Sequence, residues 1–214
     1  MNNDLAGLRR NYHLQELSEK DVNANPIQQF EQWLQQAREK EIVEPNAMTL
    51  ATCTPDGKPS ARIVLLKGIR DNGFVFFTNY HSKKGNQINE NPFGCLVFFW
   101  KEMERQVRIE GSIKKISGRE SDEYFAVRPL ESQIGAWSSP QSKVIEGRDI
   151  LERNVSEYTK KFQSQNIPRP PDWGGYILQP NLIEFWQGRN ARLHDRLQYS
   201  LQQNGSWKIE RLAP

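Results

Sequence analysis

Two hydrophobic rhythms run along the chain. Ile27, Phe30, Leu34 and Ala37 recur at helical spacing behind Asn25 and Pro26, an N-cap followed by proline at the first helical position, and they predict an amphipathic helix. From Ala47 the rhythm is that of strands: AMTLATCT, the turn PDGK, SARIVLLKGI, the turn RDNG, then FVFFTN, which together predict two hairpins in a meander. Ser82 caps a short helix, KKGNQINEN, that Pro92 stops, and FGCLVFFW and RQVRIEGSIKKIS predict another strand pair. Ser117 and Glu120 form a capping box for the helix GRESDEYFAVR, which Pro129 ends at Arg128. A helix over roughly 147–163 buries Ile150, Leu151, Val155, Tyr158 and Phe162. After PRPPDWGG come three last strands, YILQPNLIEFWQG, ARLHDRLQYSL and, past the Asn204–Gly205 turn, SWKIERL.

About seven antiparallel strands with helices between them predict an α+β fold around a curled sheet or barrel. A doubly wound parallel sheet is disfavoured, because strands and long helices do not alternate. The stretch 1–25, which contains LRRNY, lacks apolar periodicity and reads as an arm, leaving 26–214 as a single domain.

Composition changes this picture little. Hydrophobic residues are only 36% of the 214, but six Trp, six Tyr and ten Phe supply the surface for a core. The net charge of +3 is interspersed, with basic doublets only at Arg9–Arg10, Lys83–Lys84, Lys114–Lys115 and Lys160–Lys161, which favours small anions over nucleic acid as partners. Cys53 and Cys95 lie far apart without a CxxC, which argues against zinc and against a disulfide framework. The longest apolar stretch, CLVFFW, is too short to cross a bilayer and the N-terminus is polar, so the expectation is a soluble cytoplasmic protein without a metal.

Four constellations carry candidate chemistry. In RIVLLK, Arg62 and Lys67 flank apolar residues and, on a regular strand, face opposite ways, so two different anions could be served; the plainer account is a buried strand with solvated ends. Ser82, Lys83 and Lys84 stand at a predicted helix N-terminus, a ready anion site or else an ordinary cap. Tyr124 and Arg128 share one helical face and Ser132 follows, a set suited to gripping phosphate or, more plainly, a Tyr packed on an Arg. RLHDR is the sharpest: as a strand it aligns Arg192, His194 and Arg196 on one face, an arrangement that calls for something anionic or electron-rich above it, and two cations favour a neutral His194. His13 and His81 have no such company. No nucleophile with a supporting base stands out, which suits a protein whose ligands do the chemistry.

Taken in order, RIVLLK, FFTN with SKKGNQI, ERQV, YFAVRPLESQIGAW, Gln141–Ser142, WGGY, EFWQG, RLHDR and WKIERLAP closely resemble the pyridoxine/pyridoxamine 5'-phosphate oxidase family. The resemblance runs from LRRNY to Pro214. It implies an FMN-binding antiparallel split β-barrel with flanking helices, a homodimer with FMN at the interface, and oxidation of pyridoxine or pyridoxamine 5'-phosphate by O2 to pyridoxal 5'-phosphate and H2O2. It assigns FMN to Arg62, Ile63, Val64, Leu65, Leu66 and Lys67, to Phe77, Thr78, Lys83, Lys84 and Gln106, and to Gln141, Ser142, Trp186 and Arg196. Substrate phosphate falls to Lys67, Tyr124, Arg128 and Ser132, with Arg192, Leu193 and His194 at the pyridine ring and Arg192 and His194 as the catalytic pair. Arg9, Arg10, Asn11 and Tyr12 match a segment that closes over substrate. Lys83 stands where the family carries arginine, and Asn11 replaces an acidic residue. Two other readings compete: a non-catalytic carrier using the same cation clusters, and a flavin reductase fed by a nicotinamide, which would not need Tyr124, Arg128 and Ser132.

Overall fold

The computed structural model describes residues 7–8, 10–163 and 166–214. Helix α1 (Pro26–Glu39) begins as its sequence dictates: the Asn25 side chain accepts the Ile27 amide, and proline takes a first-turn position where no amide is needed. Nine strands follow among the described residues: β1 (Ala47–Cys53), β2 (Pro59–Leu65), β3 (Gly68–Arg70), β4 (Gly73–Asn79), β5 (Phe93–Trp100), β6 (Arg105–Lys115), β7 (Trp173–Gln187), β8 (Asp195–Leu201) and β9 (Trp207–Arg211). Between them stand α2 (Lys83–Glu90), α3 (Gly118–Ala126), α4 (Leu130–Ser138) and α5 (Arg148–Lys161). The sheet order is β2-β1-β5-β6-β7-β4-β3, with β8 on β7 and β9 on β8. This is the α+β class that the pattern predicts. No helix among the described residues is long and apolar enough to cross a membrane.

The chain divides into two compact units, one of residues 1–49, 95–110 and 180–214, the other of 50–94 and 111–179. In the first, α1 buries Ile27, Phe30, Trp33 and Ala37. Phe30 packs on Phe98 and Trp100, and Trp33 meets Phe185 edge-on at 5.1 Å. Each such side chain contributes about 1.5–3 kcal/mol by leaving water. Trp33, not Leu34, completes the buried stripe, because the broader ring reaches the sheet and leaves Leu34 half-buried. Strands β7 and β8 pair from Leu182↔Ser200 to Gln187↔Asp195, and β8 and β9 from Leu197↔Arg211 to Leu201↔Trp207.

In the second unit, β3 and β4 form a tight hairpin whose turn residues Asp71 and Asn72 both have positive φ (49° and 56°), the backbone that a right-twisted two-residue connection requires. β4 runs against β7 from Phe74↔Leu178 to Asn79↔Trp173. Ser82 caps α2 through the Gly85 amide, and Ser117 with Glu120 forms the capping box of α3. A small cluster of Phe125, Ile134, Phe162, Ile167 and Trp173 packs α3 and α4 together.

Five expectations fail. SARIVLLKGI is not one strand: β2 ends at Leu65 and β3 starts at Gly68, because Lys67 donates its amide to Val75 at the mouth of the hairpin. α3 ends at Ala126, two residues before Arg128, with Val127 as its C-cap (φ -89°, ψ 0°). α4 occupies LESQIGAWS, where no helix is expected from the apolar pattern, with Pro129 at its N-cap position. α5 buries none of its own residues fully, and Val155 is exposed. The last failure concerns RLHDR: β8 begins only at Asp195, and Asn190–Arg192 form a 3-10 turn in which Ala191 and Arg192 have φ of 53° and 62°. Arg192 and His194 therefore belong to a loop, and only Arg196 is on the strand.

Candidate functional site

Each unit holds a cavity. The one in the second unit, of about 610 Å3, is lined by β2 and its extension (Arg62, Ile63, Val64, Leu65, Lys67), by Phe77 and Thr78 of β4, by Lys84 of α2, by Tyr124, Arg128 and Ser132, and by Gln141 and Trp173. Arg62 and Lys67 thus share a cavity: the break after Leu65 undoes the alternation that would send them to opposite faces.

Four cations meet here and no acidic residue is among the described lining residues. Their polar partners are neutral. Arg62 donates to the Leu50 carbonyl (2.9 Å), Thr52 Oγ1 (2.7 Å) and Ser60 Oγ (2.8 Å). Lys84 Nζ donates to Gln141 Oε1 (2.9 Å) and Thr78 Oγ1 (3.1 Å). Burial, and then the neighbouring Arg62, lower the Lys84 ammonium to about 8, and burial lowers Arg62 and Arg128 as well. Arg128 lies over Trp173 (4.6 Å to the ring centroid) and has a buried Nη1 without a hydrogen-bond partner. Desolvated cations, an orphaned guanidinium donor and no carboxylate describe a site that completes itself with anionic oxygen. Phe77, Tyr124 and Trp173 stand nearly parallel beside it, Phe77 and Tyr124 at 3.9 Å and 18°.

The cavity of the first unit, about 520 Å3, is lined by Leu8, Arg10, Asn11 and Tyr12 of the arm and by Arg189, Ala191, Arg192 and His194 of the loop after β7. Tyr12 meets Trp186 edge-on at 5.8 Å and His194 at 5.9 Å, while Trp186 and His194 are 4.6 Å apart. His194 Nδ1 accepts the Arg189 amide at 3.1 Å, so the neutral ring carries its proton on Nε2 and can donate from there. Burial and then Arg192 lower its pKa, which favours that neutral form. The positive φ at Ala191 and Arg192 reverses the chain and brings Arg192 alongside.

Other sequence-predicted residues fall outside these linings. Arg196 is on the β8 strand, pairing with the buried Glu184 (2.8 Å) and the Ala213 carbonyl (2.7 Å), so the row of three uncompensated cations does not form. Lys83, Ser142 and Leu193 are exposed, Gln106 is half-buried on β6, and Leu66 is buried. Arg9 lies outside the described residues. Residues that the sequence reading missed include Trp173, whose only signal is its place at the start of WGGY, and Arg189, whose side chain pairs with Glu16 and Asp195.

The chain is similar to known proteins along nearly its whole length. Residues 34–162 match the family model described as pyridoxamine 5'-phosphate oxidase, and residues 173–214 match the pyridoxine 5'-phosphate oxidase C-terminal dimerisation region. A pyridoxine/pyridoxamine 5'-phosphate oxidase from Nostoc punctiforme is 57% identical over 214 residues, all of both chains. PhzG from Burkholderia lata, solved with tetrahydrophenazine-1-carboxylic acid, is 31% identical with a TM-score of 0.88 over 94% of this chain and 99% of its own. A pyridoxamine 5'-phosphate oxidase-related, FMN binding protein from Nostoc punctiforme shares the fold at 18% identity, with a TM-score of 0.71 over 94% of this chain and 100% of its own. The dimerisation region implies a homodimer.

Proposed function

The chain belongs to the pyridoxine/pyridoxamine 5'-phosphate oxidase family, and from that premise we propose that its acid-free cavity takes two phosphate-bearing ligands, FMN and the B6 substrate. The activity is oxidation of pyridoxine and pyridoxamine 5'-phosphate to pyridoxal 5'-phosphate, with O2 reduced to H2O2. FMN, when bound, supplies the two-electron acceptor that O2 regenerates.

The observation that carries the proposal is the set Arg62, Lys67, Lys84 and Arg128 around one cavity without an acid, with Arg128 Nη1 buried and unpartnered. Arg62 and Lys84, on the side of Thr78 and Gln141, would hold the FMN phosphate. Lys83 and Ser142 beside them, with Gln106, Trp186 and Arg196, complete the cofactor set, Arg196 entering it already paired to Glu184. The apolar edge of Ile63, Val64, Leu65 and Leu66 with Phe77 would border the cofactor ring. Lys67, Tyr124, Arg128 and Ser132 would grip the substrate phosphate, a guanidinium fork and two hydroxyls matching its oxygens.

Arg192 and His194, with Leu193, would lie at the substrate ring. Arg192 orients it, and His194 donates from Nε2 rather than acting as a base, because Nδ1 already accepts the Arg189 amide. Arg10, Asn11 and Tyr12 would cover the ring and exclude water. In the homodimer FMN would sit at the interface; Ile63 and Val127, which line the cavity while 67% and 77% exposed, are apolar surface that a partner would cover.

The test is an anaerobic spectrum of the protein with FMN. Bleaching of the flavin on addition of pyridoxine 5'-phosphate, with peroxide released on admitting air, is the expected result. A protein that takes up no FMN refutes the cofactor assignment, and one that binds FMN without bleaching is a carrier.

A further inference from the structure

We propose that Glu104 is a positioning residue that docks the arm on the His194 cavity, an inference that rests on the oxidase reading above. Glu104 occupies the turn between β5 and β6 with φ of 54° and a fully buried side chain. Its carbonyl accepts the Gly188 amide (2.8 Å) and Gln187 Nε2 (3.2 Å), which fixes the start of the loop that carries Arg189, Arg192 and His194. Its carboxylate turns to the arm. Oε2 accepts the amides of His13 (2.9 Å) and Leu14 (3.1 Å), while Oε1 has no hydrogen bond and faces Arg10 Nη2 at 3.7 Å.

One residue therefore ties both walls of the cavity, the loop through its backbone and the arm through its charge. A buried carboxylate is costly unless donors reach it, and His13, Leu14 and Arg10 are donors that only a docked arm brings. Lifting the arm removes all three together. The fit of the arm is close as well: a Cβ on Gly188 would stand 2.7 Å from both Cβ and Cγ of Tyr12. Tyr12, held there, packs on Trp186 and His194. Glu104 acts on the substrate only through the arm.

The experiment is Glu104→Gln in the full-length protein loaded with FMN, a near-isosteric change that keeps one acceptor and removes the charge. Losing charge-assisted bonds of this kind is expected to raise KM for pyridoxamine 5'-phosphate about tenfold, with kcat within about threefold. Tryptic cleavage between Arg10 and Asn11, followed by mass spectrometry without substrate, is expected to be about tenfold faster than in the unaltered protein. In a Tyr12→Ala background the same change should leave KM where Tyr12→Ala alone put it. Unchanged cleavage, or a KM rise of full size in the Tyr12→Ala background, overturns the proposal. If Glu104→Gln lowers the melting temperature, Gly188→Ala, which displaces Tyr12 without touching the carboxylate, should raise KM and speed cleavage alike; no effect there also overturns it. Cleavage is read without turnover, so a failure of the oxidase reading is seen separately, as unaltered protein that does not oxidise the substrate.

Discussion

The second unit's cavity and the scaffold behind the first unit's cavity solve opposite electrostatic problems. Around the second unit's cavity no carboxylate is among the described lining residues: Arg62 and Lys84 are satisfied only by neutral oxygens, and Arg128 leaves a buried donor unused. In the scaffold behind the first unit's cavity, at the base of the arm and on β8 and β9, the charges are mutually engaged. Arg189 pairs with Glu16 and Asp195, Arg211 pairs with Glu19 and Asp195, and Arg196 pairs with Glu184. The Asp195 carboxylate also accepts the Leu17 amide, so the arm's base is anchored to β8 and β9. The Arg211 guanidinium draws the Glu19 carboxyl down to about 2. A region built to receive an external anion leaves its cations unpaired, whereas a region built to hold its own chain in place pairs them. Charge content alone does not distinguish binding from scaffolding.

The contrast is broken most severely at Arg128. Arg128→Ala removes the unsatisfied guanidinium and should lower kcat/KM for pyridoxamine 5'-phosphate by about a hundredfold, the scale expected when a charged hydrogen bond to a buried anion is removed, while leaving FMN affinity near its original value. Arg128→Lys keeps the charge without the fork and should fall between. An effect below about threefold would mean that the orphaned donor has no ligand to meet.

A smaller change sharpens the comparison through pH. The Lys84 ammonium is held at about 8 in the free protein, and a bound phosphate raises it, so the ligand prefers the protonated form. FMN affinity should be full below pH 8 and fall about tenfold by pH 9, with proton uptake on binding that calorimetry in two buffers of different ionisation enthalpy detects. Affinity that is flat to pH 9 would place the phosphate away from Lys84.

The smallest effect belongs to His194. Its pKa is lowered, and protonation at Nδ1 breaks the bond from the Arg189 amide. Activity should therefore hold at neutral pH and decline by a few-fold only below about 6.5, the ordinary histidine value. Imidazole nitrogen NMR should find the neutral ring protonated on Nε2; an Nδ1-protonated ring would contradict the assignment.

Much of the fold was legible because its signals are local. Asn25 with Pro26, Ser82, and Ser117 with Glu120 announce three helix starts by side chains that satisfy amides in the first turn, and Asp71–Asn72 announces a hairpin. α4 escaped because SQIGAW is held by packing into the Phe125 and Trp173 cluster rather than by a strong periodic stripe. At the site, RIVLLK and the Tyr124, Arg128, Ser132 set were visible as residue types at suggestive spacing. The alignment expected of RLHDR was not real, since nothing local reveals that Ala191 and Arg192 adopt positive φ or that Arg196 has Glu184 for a partner twelve residues back along the chain.

By itself the sequence determined which residue types are available and where the chain must cap, turn and alternate, because those are short-range matters of amide satisfaction and steric preference. Only the tertiary structure decided which charges are spent on one another and which stay unpaired. Arg128 over Trp173, Glu104 between Gly188 and His13, and Arg196 against Glu184 are meetings of residues far apart or on different elements. Their energies depend on burial, which the folded chain alone sets.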